Sequence, residues 1–293
     1  MRAAIRGQVA SALVQLTHRT PSDQEVHSAR KCIKKARAAV RLVRDVIGKA
    51  LYQRENHALR DAAHPLSATR DAKILVDALQ GMVEKGAVDR HSGQVLQRSL
   101  DRRRKQLAHR ATARSDVASS RRLLRAVDRH VAGWKLARAD AALILRAIRR
   151  AYKRAQRAMW DADTECSVQA LHEWRKEVKY LCHQLQLLEP LQPRIGKLTD
   201  SLHKLADHLG ENHDLAVLRE SVVARRERFS RRAFTGFLDP IGKRRLSLEK
   251  KAFSLGRQLF AEQPSAFARR FSGMPSAPTS RKPHSSRHRW MLP

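Results

Sequence analysis

The sequence predicts an all-α protein: two tandem repeats of an antiparallel helical bundle, about four helices each, around a basic central groove, with a disordered basic C-terminal tail. Three observations predict this. Apolar residues recur at steps of three and four through most of the chain, which places them on one helical face, and no stretch alternates as a half-buried strand does. One such stripe occurs twice at a fixed offset. From about Gln263 the composition shifts to Ser, Pro, Arg and His, with Arg269, Arg270, Arg281, Lys282, Arg287 and Arg289, a mixture that buries too little apolar surface to fold.

In chain order, Met1 to Leu16 carries Arg6 and Gln8 where a secretory leader would have its apolar core. No later run reaches the roughly 20 apolar residues of a spanning helix. The expectation is a cytoplasmic protein with no membrane insertion. The first repeat, about 10–130, opens on the stripe Val26, Ala29, Ile33, Ala36, Val40, Val43, followed by Leu59, Ala62 and Leu66 before Arg70-Asp71. A long amphipathic helix comes next, with Leu145, Ile148, Tyr152, Ala155 and Met159 on one face and Arg146, Arg149, Arg150, Lys153, Arg154 and Arg157 on the other. The second repeat, about 140–262, carries Leu171, Trp174, Val178, Leu181, Leu185, Leu188, the first stripe shifted by 145 positions, then Leu202, Leu205 and Leu209 before His213-Asp214. Breaks are expected at His64-Pro65, Gly81, Gly86, Glu189-Pro190, Gly210, Asp239-Pro240 and Pro264. Residues 1–262 thus form the folded part and 263–293 the tail.

The charge decides what kind of partner to look for. Sixty Lys and Arg stand against 28 Asp and Glu, a formal net charge of +32, so a polyanionic partner is expected, and charge alone leaves an acidic substrate, nucleic acid and a membrane surface open. Aromatic residues make up only 5%, too few for surfaces that stack successive bases. Cys32, Cys166 and Cys182 are too few and too scattered for a disulfide framework or a Cys-based metal site, and no cofactor or metal is expected.

One residue after the start of each apolar stripe runs a cationic one: His27, Arg30, Lys31, Lys34 and His172, Arg175, Lys176, Lys179, both H-x-x-R-K-x-x-K. Positions i, i+3, i+4 and i+7 share a helical face and cover about 10 Å of it. Like charges at that spacing repel by a few tenths of a kcal/mol each unless a counter-anion sits on them. Arg offers phosphate a planar fork, Lys a compact charge, and His a proton that a nearby anion holds more firmly. A row of Lys and Arg can equally be a solvated face. Its recurrence behind a His in both repeats favours the binding role. Arg37, Arg70, Lys204 and His213 extend the candidate site, and Arg60 stands near it. Asp71 and Asp214 read as caps of new helices or as pins for a neighbouring cation. The runs Arg102 to Lys105, Arg225-Arg226, Arg231-Arg232 and Lys243 to Arg245 read as outer faces that attract polyanions from a distance.

His27-x-x-Arg30-Lys31-x-x-Lys34-x-x-Arg37 with Thr69-Arg70-Asp71, and Leu171-His172-x-x-Arg175-Lys176-x-x-Lys179 with Leu209-Gly210-x-x-His213-Asp214, resemble the CHAD domain, the conserved histidine α-helical domain, over roughly residues 10–260. The resemblance implies two four-helix repeats around a basic channel that binds inorganic polyphosphate; a scaffold docked on polyphosphate granules, with the tail as a second contact, is a variant of that expectation. The chain departs from the family pattern at Lys179-Tyr180-Leu181-Cys182-His183, where Cys182 stands at the position of a cation that the first repeat keeps as Arg37. Some members add a triphosphate-hydrolysing tunnel with alternating Glu residues. No such motif occurs here, so the resemblance implies binding without catalysis.

Two rivals remain. A metalloenzyme is disfavoured because His172-Glu173 lacks the second His of a zinc-protease helix, and His203, His208 and His213 step by five around the helix. Nucleic-acid binding is allowed by charge and tail, at least weakly, although no helix-turn-helix, zinc-finger or RRM signature is present. The sequence leaves the oligomeric state open.

Overall fold

The computed structural model describes residues 1–272 except 19, 67, 85, 87, 89, 112–113, 135, 137–140 and 193–194; at 68–73, 90, 92, 103–111, 114–116, 141 and 191 it describes the backbone alone. All regular structure among the described residues is helical: α1 (Arg2–Gln15), α2 (Asp23–Leu42), α3 (Arg44–Ile47), α4 (Lys49–Ala63), α5 (Ala68–Glu84), α6 (Arg90–Ala111), α7 (Arg114–Ala132), α8 (Ala141–Glu165), α9 (Val168–Gln186), α10 (Ile195–Val223), α11 (Arg231–Leu259) and α12 (Pro264–Arg269). No helix among the described residues is long and apolar enough to cross a membrane.

The two helices that carry the cationic rows are started by local chemistry. At α2 the Ser22 hydroxyl accepts from Glu25 N–H (3.3 Å) while the Glu25 carboxylate accepts from Ser22 N–H (2.7 Å), a reciprocal capping box. At α9 the Ser167 hydroxyl accepts from Ala170 N–H at 3.0 Å. These caps fix where each helix begins, Asp23 and Val168, and so set the phase of the residues that follow. Both apolar stripes are then buried, Ile33, Ala36 and Val40 on α2 and Trp174, Val178 and Leu185 on α9.

Three cores result. Helices α1, α2, α4 and α7 enclose Ile5, Val9, Ile33, Leu59, Leu124 and Val127. Helices α8 and α9, the first part of α10, the end of α11, and α12 enclose Tyr152, Trp174, Leu181, Leu205, Ala252 and Phe267. The α5–α6 hairpin buries Leu75, Leu79, Leu96 and Leu100 against Leu218 and Val222 of α10 and Phe237 and Ile241 of α11. Gly256 lets α11 approach α9 closely, since a Cβ there would stand 2.6 Å from Trp174 Cζ2.

Several expected breaks are absent. Gly81, Gly210 and Pro240 lie inside α5, α10 and α11, so His213 and Asp214 belong to the middle of one 29-residue helix rather than to the start of another, and Asp214 caps nothing. Pro240 is tolerated because the residue four positions earlier, whose carbonyl a proline ring crowds, is the exposed Gly236. The first bundle also starts earlier than residue 10, with Ile5 and Val9 of α1 fully buried. At the other end, residues 263–272 are not a tail. Phe267 of α12 stacks on Tyr152 at 4.0 Å, and the Tyr152 hydroxyl and Gln156 amide donate to carbonyls of Leu259, Phe260 and Glu262. Residues 273–293 lie outside the described ones.

Candidate anion-binding site

The cationic rows are not uniform. On α9, His172, Arg175 and Lys179 are half-buried while Lys176 is exposed and bonded to Glu173 at 2.7 Å. Helical geometry accounts for it: at about 100° per residue, Lys176 points roughly 80° away from the direction midway between Arg175 and Lys179. On α2, His27, Arg30 and Arg37 are half-buried, and Lys31 and Lys34 are exposed. Both Lys31 and Lys176 therefore leave the inward-facing row.

Arg30 and Arg175 occupy matching places with different surroundings. Helix α4 stops at Ala63, and the carbonyl freed there accepts from Arg30 Nη1 at 3.2 Å, a cation at the negative end of a helix. Helix α10 runs straight through the corresponding region, so no carbonyl is freed. Arg175 instead lies flat on Gly210, where a Cβ would stand 3.2 Å from its Nε, and that buried Nε has no hydrogen-bond partner among the described residues. A buried donor without a partner costs about 1–3 kcal/mol. His172 repeats the pattern: its buried Nδ1 has no partner, and its ring lies 4.6 Å from that of His213, whose Nδ1 is 3.3 Å from the Asp214 carboxylate.

Burial, and next to it His213, Arg175 and Lys176, holds His172 below the usual imidazole range. Burial, then Arg175, likewise depresses Lys179, against the pull of Asp207 and Asp214. Arg175 and Lys179 open into a cavity of about 540 Å³ between α5, α9, α10 and α11, shared with Arg244 and with Asp77, Asp207, Glu211 and Asp214. Arg244, read from sequence as an outer-face residue, donates twice to Glu211 (2.7 and 2.9 Å). Arg245 is half-buried against Asn212 and Glu249. The acids were not foreseen as lining, because they come from two helices, α5 and α10, that only the tertiary packing brings beside α9.

Other expected members stand elsewhere. Lys204 is exposed on another face of α10, in an open groove with His208, Lys250 and Lys251 that no carboxylate lines. Arg60 is exposed and paired with Asp61 at 2.9 Å. The side chains of Arg70 and Asp71 lie outside the described ones. Cys182 is buried, its thiol pushed up to about 12 by burial and its Sγ 3.7 Å from the Thr199 carbonyl, so it offers an anion nothing.

The two row-bearing helices meet. Arg41 of α2 bonds Glu177 of α9 at 3.4 Å and covers the Tyr180 ring at 3.8 Å, while the Gln184 amide donates to the Ala38 carbonyl at 3.3 Å. As residue number rises on α2 it falls on α9, so the helices run antiparallel where they touch. Arg37 donates to Asn56 at 3.2 Å and stands 5.9 Å from the Tyr180 centroid. Arg41 and Tyr180 escaped the sequence reading, although Arg41 lies 14 residues after His27 and so nearly on its face. The CHAD-domain family model matches residues 3–223 of the chain. Comparison with curated proteins gives no match.

Proposed function

The chain belongs to the CHAD-domain family, and on that premise we propose that it binds inorganic polyphosphate, without hydrolysing it, along one basic groove formed by the rows of α2 and α9. The observation that carries the proposal is Arg175: a guanidinium whose buried Nε lacks a partner, beside a lysine and a histidine that burial and neighbouring cations make reluctant to hold their protons. An anion would satisfy the donor and hold the protons in place.

Geometry supports one track rather than two sites. On α2 the residues Ala38 and Lys35, which face α9, lie roughly 30–90° past the centre of the row His27 to Lys34, and on α9 Tyr180 and Gln184 lie roughly 90–130° past the centre of theirs. The sense of rotation is the same on both helices, so antiparallel packing turns both cationic faces to one side of the pair. His27 lies 11 residues before Ala38 and His172 lies 12 before Gln184. At about 1.5 Å per residue the rows laid end to end span roughly 35 Å. A protein gripping polymer this way would sit wherever polyphosphate accumulates, granules included.

The test is charge reversal of Arg30, Arg175 and Lys179 together, with helicity checked by circular dichroism. Polyphosphate binding should disappear while helicity stays. Retained affinity would overturn the proposal. Nucleic-acid binding is the second reading, favoured by the acid-free groove of Lys204, His208, Lys250 and Lys251, which is about 530 Å³ in volume and open to solvent. Competition at matched phosphate concentration separates the two: polyphosphate should displace duplex DNA, and the reverse order would favour the second reading.

A further inference from the structure

A second basic pocket lies where the two halves join, lined by Arg41, Arg44 and Tyr52 from the first half and Arg150, Arg154 and Gln184 from the second. It is small, about 150 Å³. Two carboxylates reach the same guanidinium groups: Asp45 bonds Arg150 at 2.6 Å, and Glu177 bonds Arg154 at 2.9 Å and Arg41 at 3.4 Å. Among the described residues, four guanidinium groups against two carboxylates leave two positive charges uncompensated at this site. Among the described residues the Arg44 side chain makes a ring contact, 5.0 Å from the Tyr52 centroid, and no ion pair. Gln184 is 1% exposed; its amide nitrogen is committed to the Ala38 carbonyl, and its Oε1 is buried without a donor.

We propose that this pocket binds a terminal phosphoryl group, either free orthophosphate or the end of a phosphate chain. Size admits one such group and not a run of polymer. The uncompensated positive charge suits an anion, and Arg supplies the forked donors from which phosphate oxygens accept. The orphan Gln184 oxygen selects further, because only a phosphoryl group with a P–OH can donate to it. Terminal groups carry that proton near pH 6, as the second pKa of a phosphate monoester indicates, and internal chain units have none. The proposal takes its ligand class from the polyphosphate reading but uses different residues, apart from the rows of α2 and α9.

The experiment titrates the full chain at pH 6 with orthophosphate, with pyrophosphate and with cyclic trimetaphosphate, which has no ends. Arg44→Glu is the main variant, since Arg44 is exposed and holds no carboxylate, and Arg150→Gln is an independent second. Pyrophosphate should bind, lose about tenfold or more in affinity in either variant through loss of a charge-assisted contact, and resist displacement by trimetaphosphate. Orthophosphate binding equally well would identify the free ion as ligand; pyrophosphate alone would identify the chain end. Pyrophosphate affinity unchanged in both variants, or displacement by trimetaphosphate at equal concentration, overturns the proposal. Should charge reversal of Arg30, Arg175 and Lys179 leave long-polyphosphate affinity unchanged while pyrophosphate binding is lost in Arg44→Glu, the groove reading falls and this one stands.

Discussion

Replacing Lys179 by Met, beside the same change at Lys176, separates an inward cation from an outward one three residues away. Lys179 is half-buried, faces the cavity with Arg175, and is depressed by burial first and Arg175 next. Lys176 is 44% exposed and bonded to Glu173 at 2.7 Å. A unit charge about 4 Å from a phosphate oxygen is worth about 1 kcal/mol in water and about 4 kcal/mol at an effective dielectric of 20. A half-buried lysine falls between, and about 2 kcal/mol corresponds to a roughly 30-fold change in Kd. The exposed, already paired Lys176 should contribute under about 0.5 kcal/mol, a factor of about two. Methionine keeps most of the side-chain length and removes a charge that burial and Arg175 disfavour, so Lys179→Met should melt no lower than the parent without ligand. Isothermal titration with polyphosphate, paired with thermal unfolding of the free proteins, reads both quantities. Equal losses of affinity in the two variants would refute the division into inward and outward cations.

Three further outcomes follow from the packing. Gly210→Ala places a Cβ 3.2 Å from Arg175 Nε, so the guanidinium must shift; titration should show weaker polyphosphate binding, while the helix gains up to about 1 kcal/mol of propensity and the melting temperature holds or rises. Gly256→Ala drives a Cβ to 2.6 Å from Trp174 Cζ2 and 3.0 Å from Met159 Sδ, and should cost roughly 1–3 kcal/mol in denaturant unfolding through overpacking. His183 is held at about 4, by burial first and then by Lys179 and Lys35, against the help of Gln186. The unfolded chain takes that proton near pH 6.5 and the folded chain resists until about pH 4, so the contribution is complete above 6.5 and is lost as pH falls through this window, about 3 kcal/mol at most. His183→Gln should flatten that acid limb of the stability curve.

The parts of the molecule most legible in the sequence were those governed by local spacing. The two stripes at an offset of 145 gave α2 and α9, and the step from each His to Arg and Lys gave the half-buried His172, Arg175 and Lys179. What escaped depended on neighbours. Gly210 and Pro240 read as breaks by composition, yet Gly210 serves as the seat for a guanidinium and Pro240 follows a glycine at the fourth position back. Lys176 shares the row by sequence but leaves it by angle. Arg244 looked like one of three basic residues in a run, and only the packing of α11 on α10 brings it to Glu211 and the cavity. Phe267, set in a Ser- and Arg-rich stretch, gains a buried site where α8 presents Tyr152 to it, and Phe271 packs in turn on Phe267.

The most direct test of a single shared track is affinity as a function of polyphosphate chain length. If the rows of α2 and α9 join end to end, affinity per chain should climb until the polymer reaches across both, roughly 35 Å by helical rise, and then level off. Arg175→Glu with Lys179→Glu should bring the levelling-off to about half that length. A plateau already reached by chains that cover one row, unchanged in this double variant, would contradict the shared groove.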